Sequence, residues 1–281
     1  METVTRFAPS PTGRLHLGHA YSALFAEAAA RDADGRFLLR IEDIDRGRCR
    51  PAFVDGIRED LDWLGLRWET PVRRQSAHML DYRQVLDQLR EDGLLYPCFC
   101  TRKDLRAEME GSVRAPHGPD GPLYPGICRR LPGEIAAERM AAGDAFALRL
   151  NMAQAAARVG SLTFTDRERG TIAVEPESCG DVVLARKDVA TSYHLAVTWD
   201  DALQGVTLVT RGEDLLHATH VHRVLQALLE LPEPEYHHHP LLTDESGRRF
   251  AKRDRAETIQ ALRDSGMTAD EVRALAGFPV G

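Results

Sequence analysis

Two histidines three residues apart, His16 and His19, stand in the stretch Pro9-Ser10-Pro11-Thr12-Gly13-Arg14-Leu15-His16-Leu17-Gly18-His19. Imidazoles at that spacing lie on one side of a helical turn and can donate to the same anion. Gly18 between them lets a phosphate approach the backbone closely. A loop that runs from a strand into a helix adds free N–H groups and the positive end of the helix dipole. The chemistry indicated is the handling of a nucleotide's phosphates, although a bare His-x-x-His pair on a helix is more often structural or incidental. A second cationic cluster, Arg249-Phe250-Ala251-Lys252-Arg253, is by composition alone a solvated basic turn. Cys98, Cys100 and Cys128 fall within 31 residues and suit a tetrahedral zinc lacking one ligand, with reduced buried cysteines as the alternative.

The elements around these residues follow from periodicity and punctuation. VTRFA (4–8) reads as a buried strand, the Pro/Gly-rich loop follows, and AYSALFAEAAARDADG reads as a helix stopped at Gly35. FLLRIEDID (37–45) is a second strand whose acidic end emerges at the sheet's carboxyl edge. Helices are predicted at 52–64 and 77–92, the second capped by Ser76 and ended by Gly93. Strands alternating with helices imply a parallel sheet.

From Tyr96 to about Gly180 the pattern changes. It carries the cysteines, the loop GPDGPLYPG, and alternating stretches AFALRL and LTFTDRERGTIAVEP that suggest antiparallel hairpins. The core pattern returns with DVVLA, a helix at 192–203, the strand VTLVT (206–210) and a helix over 213–230. His237, His238 and His239 precede a proline and an apolar strand, which suggests packing or nucleotide-adjacent residues. The expected fold is α/β, a Rossmann-type parallel sheet (1–95 and 181–243) with an inserted α+β zinc-containing lobe (96–180). A basic loop and a short helical C-terminus complete it (244–281).

The bulk numbers narrow the class. With 43% hydrophobic and 28% charged residues, the 281-residue chain is ordinary for a globular protein. A net charge of -7 excludes coating nucleic acid through bulk electrostatics, so any RNA contact must be a local basic surface. No apolar run approaches the ~20 residues of a membrane helix and the N-terminus lacks a signal peptide's apolar core, so a cytoplasmic protein with no membrane contact is expected. A disulfide framework does not fit this size and compartment.

PSPTGRLHLGH resembles the "HIGH" signature of class I aminoacyl-tRNA synthetases, in its glutamyl form. LARKDVATSYHLAVTWDDALQGVTLVTRGEDLL (184–216) is similar to the second long signature of that branch, and Arg249–Arg253 stands where the family has its "KMSKS" loop. Arg249 replaces the first lysine of that loop and Ala251 its serine hydroxyl, so Lys252 is the match that carries weight. The resemblance spans nearly the whole chain.

It implies activation of L-glutamate by ATP, with Mg²⁺ accompanying the triphosphate and His16, His19 and Lys252 stabilising charge. Pro9, Thr12, Gly13 and Gly18 would complete the ATP site. Arg6 and Arg211 would be carboxylate forks, Glu42 the ammonium acceptor, and Tyr193 and Ser10 hydroxyl partners, with Phe7, Ala8 and Pro9 beside them. The zinc of a truncated paralogue of the branch uses three Cys and a Tyr, which implies one structural ion on Cys98, Cys100, Tyr124 and Cys128, with His117 as rival fourth ligand.

The chain stops 29 residues after Lys252, room for one helix and none for an anticodon reader. That shape is similar to paralogues that attach glutamate to the queuosine base at the wobble position of tRNA(Asp), and a monomer is expected. The competing readings are charging of a tRNA 3′ end, a HIGH-superfamily nucleotidylyltransferase acting on a small metabolite, and a non-catalytic zinc-containing tRNA-binding module.

Overall fold

A computed structural model describes residues 2–101, 104, 117–118, 121–186, 188–242 and 257–279. In chain order the first half holds β1 (Val4–Phe7), α1 (Leu17–Arg31), β2 (Arg36–Ile41), α2 (Pro51–Trp63), β3 (Glu69–Arg74), α3 (Met79–Glu91) and β4 (Leu95–Cys98). Next come the two-residue strands β5 (His117–Gly118) and β6 (Gly121–Pro122), α4 (Gly133–Ala141), β7 (Ala147–Leu150), α5 (Met152–Val159), β8 (Thr163–Asp166), β9 (Gly170–Ala173) and β10 (Val183–Arg186). The last stretch has α6 (Tyr193–Leu203), β11 (Leu208–Gly212), α7 (Ala218–Leu228), β12 (Glu235–His239), α8 (Ile259–Asp264) and α9 (Ala269–Leu275). Among the described residues no helix is long and apolar enough to cross a membrane.

The sheet explains where a ligand can sit. β1 pairs in parallel with β2 and β2 with β3, while β11 pairs in parallel with β12. The Thr207 N–H donates to the Val4 carbonyl at 3.0 Å, which places the start of β11 beside β1. The chain therefore winds outward from β1 in one direction and resumes on its other side. Such a reversal leaves a crevice beyond the carboxyl ends of the two central strands, here β1 and β11.

β1 is buried at every position and β2 at all but its first, as parallel strands covered on both faces must be. α1 lays Ala20, Ala23, Leu24, Ala26 and Ala30 into the core, and this small-residue face lets the helix approach the sheet. The stop predicted at Gly35 is shared between two residues. Asp34 takes the left-handed turn (φ 48°), while the Gly35 N–H donates to Ala30 O at 2.8 Å. A Cβ at Gly35 would lie 2.1 Å from the Thr3 carbonyl, so the glycine is required by close passage of the backbone.

Several expectations are corrected. β3 was not foreseen, because its ETPVRR sequence is largely exposed and charged and carries no apolar alternation. α3 is capped at His78; Ser76 instead donates its hydroxyl to Asp43 at 2.8 Å. DVVLA does not return to the parallel core, since β10 pairs antiparallel with β7, which pairs with β4. The hairpin β8–β9 joins the core sheet, where Asp166 lies opposite Tyr236 in parallel register. The histidine run is itself strand β12 rather than its prelude. The single C-terminal helix is two, and Ile259, Leu262, Val272 and Ala276 pack into the same core as α1 and α2. These strands were misassigned because partners in a sheet are chosen by distant segments that local pattern does not contain.

Candidate active site

The loop between β1 and α1 is tied down from several sides. Glu42 N–H donates to Pro9 O and Arg50 N–H to Pro11 O, both at 3.1 Å, so the ends of β2 and α2 hold it. The Ile259 N–H donates to Leu15 O at 2.9 Å, and His16 bridges Thr258 in antiparallel fashion. The segment leaving the 243–256 stretch is thus pinned against the histidine loop. Lys252, like Arg249, Phe250, Ala251 and Arg253, lies outside the described residues.

His16 caps α1 and His19 sits in its first turn, their ring centroids 3.7 Å apart. The His16 backbone N–H donates to His19 Nδ1 at 3.2 Å. That bond requires a lone pair on Nδ1, so His19 in its neutral form carries its proton on Nε2 and can donate from there. His19 therefore closes the helix end through Nδ1 and carries its proton on Nε2.

A cavity of about 590 Å³ opens at the predicted crevice. Arg6, Phe7, Ala8, Pro9, Ser10, His16, Gly18, His19, Glu42, Tyr193 and Arg211 all line it, so residues proposed for glutamate and for ATP share one space. Its volume is in the range of small-molecule sites. Tyr21, Leu215, Leu241 and Leu242 give part of it an apolar wall suited to a planar base. A Cβ at the lining residue Gly212 would meet Asp214 and Leu241 side chains at 2.6 and 2.7 Å. Thr12 lines a neighbouring cavity of about 550 Å³ instead, and Ser10, Glu42 and Tyr193 face both. Gly13 lines neither of the two.

Beneath the cavity lies a balanced ionic layer that sequence reading missed. Arg6 donates to Asp201 from Nε (2.9 Å) and Nη2 (3.3 Å) and to Thr210 O from Nη1 (3.0 Å), so its fork is committed to protein. Arg40, wholly buried, contacts Asp201 at 2.8 Å and Glu42 at 3.2 Å. Arg73 donates to Asp200 at 2.8 Å. Three guanidiniums thus face three carboxylates. Burial pushes the Glu42 carboxyl up, against the pull of Arg40 and Arg6. For Asp201 burial acts the same way, but Arg6 and Arg40 outweigh it and hold the group below the usual carboxylate range. An arginine in the apolar strand FLLRI and the doublet Asp200-Asp201 were the available signals.

Arg211, buried like Arg6 and Arg40, has a different environment. It donates to His238 Nε2 (3.1 Å), Thr219 Oγ1 (2.6 Å) and the Tyr193 hydroxyl (3.4 Å), and lies 3.1 Å from His222 Nδ1. None of these partners is a carboxylate. Ser192 caps α6 by accepting from Leu195 N–H, which sets Tyr193 in the first turn beside Arg211.

The cysteines gather as predicted. Sulfur atoms of Cys98, Cys100 and Cys128 lie within 4.8 Å of one another, and Cys100 and Cys128 are 3.5 Å apart. Thiolates on a tetrahedral zinc at ~2.3 Å would stand about 3.8 Å apart, close to this spacing. The Tyr124 hydroxyl is 3.3 Å from Cys98 Sγ and 3.6 Å from Cys100 Sγ, which completes a four-donor set. Burial, with the neighbouring thiols, pushes Cys100 up to about 12, against the hydrogen bond with the Tyr124 hydroxyl. The His117 side chain lies outside the described residues.

The sequence family described as tRNA synthetases class I (E and Q), catalytic domain, matches residues 2–275. The chain is 49% identical over 287 residues to a glutamyl-Q tRNA(Asp) synthetase of Rhodobacter capsulatus, covering 98% of this chain and 100% of that protein. A glutamate–tRNA ligase of Aquifex aeolicus is 37% identical over 93% of this chain but only 54% of its own length. A solved glutamate tRNA ligase from Elizabethkingia meningosepticum, in complex with its amino acid, matches with a TM-score of 0.80 and 26% identity, over 98% of this chain and 60% of that chain. The chain therefore belongs to the class I tRNA synthetases of the glutamyl and glutaminyl type, in the branch whose members are named glutamyl-Q tRNA(Asp) synthetases.

Proposed function

We propose that this synthetase converts L-glutamate and ATP to glutamyl-adenylate and pyrophosphate, then transfers the glutamyl group to the queuosine base at the wobble position of tRNA(Asp). The observation that carries the glutamate assignment is Arg211, a buried cation without a carboxylate partner among the described residues, in the same cavity as His16 and His19. A γ-carboxylate would supply the missing negative charge through charge-assisted hydrogen bonds. Glu42, on the same wall, would accept from the α-ammonium, with Ser10 and Tyr193 beside it. Arg6, its fork held by Asp201, would contribute mainly charge.

In the first step an α-carboxylate oxygen bonds to the α-phosphorus of ATP as the bridge to pyrophosphate breaks. The Nε2–H of His19, His16 and the Lys252 ammonium would stabilise the charge that accumulates on phosphate oxygens. Mg²⁺ would accompany the triphosphate as a further neutralising charge. In the second step a hydroxyl of the acceptor attacks the activated acyl carbon, AMP leaves, and no protein nucleophile is required. The neighbouring cavity, which shares Ser10, Glu42 and Tyr193 with the first, would give that hydroxyl its approach. Cys98, Cys100, Tyr124 and Cys128 would hold a structural zinc, a closed shell that gives the ion no part in the chemistry.

ATP–pyrophosphate exchange measured across all amino acids without RNA tests the first half, and exchange supported by glutamate alone is the expected result. Glutamate attachment to tRNA(Asp) with and without queuosine tests the second. Attachment at a tRNA 3′ end instead would overturn the queuosine assignment.

A further inference from the structure

We propose that His238, oriented by Asp166, is a positioning residue that presents Arg211 to the cavity without a counter-charge, and that this arrangement makes the site select glutamate over glutamine. The inference rests on the reading of Arg211 as the γ-carboxylate partner.

The geometry fixes the protons. Arg211 Nε donates to His238 Nε2 at 3.1 Å, and an arginine N–H can only donate, so that nitrogen must present a lone pair. The imidazole proton is then on Nδ1, where it meets Asp166 Oδ2 at 2.7 Å. Asp166 is held in turn: its Oδ2 accepts the His238 backbone N–H (3.1 Å), and its Oδ1 accepts the N–H groups of Glu168 and Arg169 (3.1 and 3.0 Å). The Thr219 hydroxyl, 3.2 Å from His238 Nε2, accepts from Arg211 Nη2 and closes the triangle. On the other side, His222 lies 3.1 Å from Arg211 through Nδ1 and 3.2 Å from His194 through Nε2.

Asp166, the carboxylate at the end of this chain of contacts, is thus one imidazole removed from the guanidinium. Glutamate and glutamine have nearly the same shape, and discrimination between them requires a charge that the protein has not already satisfied. A carboxylate in direct contact with Arg211 would abolish that difference. Among the described residues, the groups facing His238 are Arg211 from β11, Thr219 from α7, Asp166 at the end of β8, Arg169 from the β8–β9 turn and Tyr236 stacked from its own strand; Arg211 and Arg169 favour the neutral imidazole, while Asp166 pulls the other way and fixes the tautomer. Burial and then Arg211 push His238 down to about 4, and the same two causes hold His222 well below its ordinary value.

The test measures KM for glutamate and for ATP in pyrophosphate exchange, with calorimetric binding of glutamate and glutamine, for His238→Gln, His238→Glu and Asp166→Asn. His238→Gln keeps a neutral acceptor and should stay close to wild type. His238→Glu places a carboxylate on Arg211 and should weaken glutamate by at least about tenfold, with KM for ATP little changed and the preference over glutamine reduced. Asp166→Asn frees the imidazole tautomer, so glutamate binding should weaken and its acid limb shift in pH, while ATP binding holds. Unchanged glutamate affinity in His238→Glu, or a parallel rise of both KM values in His238→Gln, would overturn the proposal. Wild-type exchange supported by another amino acid would sink the underlying glutamate reading instead, a different and separable failure.

Discussion

Arg6 and Asp201, 195 positions apart in the chain, lock β1 to α6 through two parallel hydrogen bonds of 2.9 and 3.3 Å beneath the candidate cavity. The floor of the site is therefore a tertiary joint as well as a charge pattern. Asp201→Asn should leave Arg6 and Arg40 short of a buried counter-charge and destabilise the protein by about 3–5 kcal/mol, the usual cost of removing one partner. Urea denaturation at neutral pH measures this. Because the folded-state pKa of Asp201 lies below the unfolded value, its contribution is complete above that unfolded value, about 3.9, and is lost as pH falls through the lower folded one. Wild type should therefore lose more stability than Asp201→Asn when taken below about pH 4; equal acid sensitivity would contradict the assignment.

Asp60 presents the opposite case. It is wholly buried on α2, and neither carboxylate oxygen has a hydrogen-bond partner among the described residues, the nearest guanidinium being Arg263 at 4.0 Å. Burial pushes its pKa up to about 6, only partly offset by Arg14 and Arg263. Here the folded value lies above the unfolded one, so the folded state takes up a proton and gains stability as pH falls from about 7 to 4. Asp60→Asn should raise the melting temperature at pH 7.5, by no more than about 3 kcal/mol of stability, and the advantage should vanish near pH 4. Melting curves at pH 5 and 7.5 decide it, and a neutral-pH loss in the variant would show that Asp60 is satisfied by something else.

How much of this could be read beforehand depends on how local each feature is. The loop from Pro9 to His19 is one continuous segment between a strand and a helix, and the βα turn brings Pro9, Ser10, His16, Gly18 and His19 to one cavity. Arg211 and Tyr193 were reachable because the second signature carries both. Asp166 and His238 were not legible, since 72 positions separate them and the pairing of β8 with β12 alone brings them together. The same pairing hid the true place of the β8–β9 hairpin.

The sulfur cluster makes its own forecast. Purified protein should contain one zinc per chain by elemental analysis, and Cys128→Ser should lose it, because Cys128 is buried and its sulfur also accepts the Phe99 N–H at 3.3 Å. Chelation should lower the melting temperature, as removal of a structural ion does. Glutamate-dependent exchange, which uses residues on other elements, should survive at temperatures where the protein remains folded. Full stability without any bound metal would make these cysteines reduced core residues.

The proposed charge stabilisation by His19 would use the nitrogen opposite the one that accepts the His16 N–H, and substitution can separate the two. Asparagine places an oxygen near the position of Nδ1 and can still accept the His16 N–H, but it has no donor at the position of Nε2. His19→Asn should therefore keep the helix end intact and melt near wild type, while pyrophosphate exchange falls by at least about 100-fold, the scale of one lost transition-state donor. Glutamine reaches the Nε2 position with an amide N–H and gives up the contact with His16, so His19→Gln should retain more activity and lose about 1 kcal/mol of stability, as for a lost cap. If instead both variants fell equally in exchange while melting like wild type, the donor would not be Nε2, and the role of charge stabilisation in this turn would pass to His16 alone.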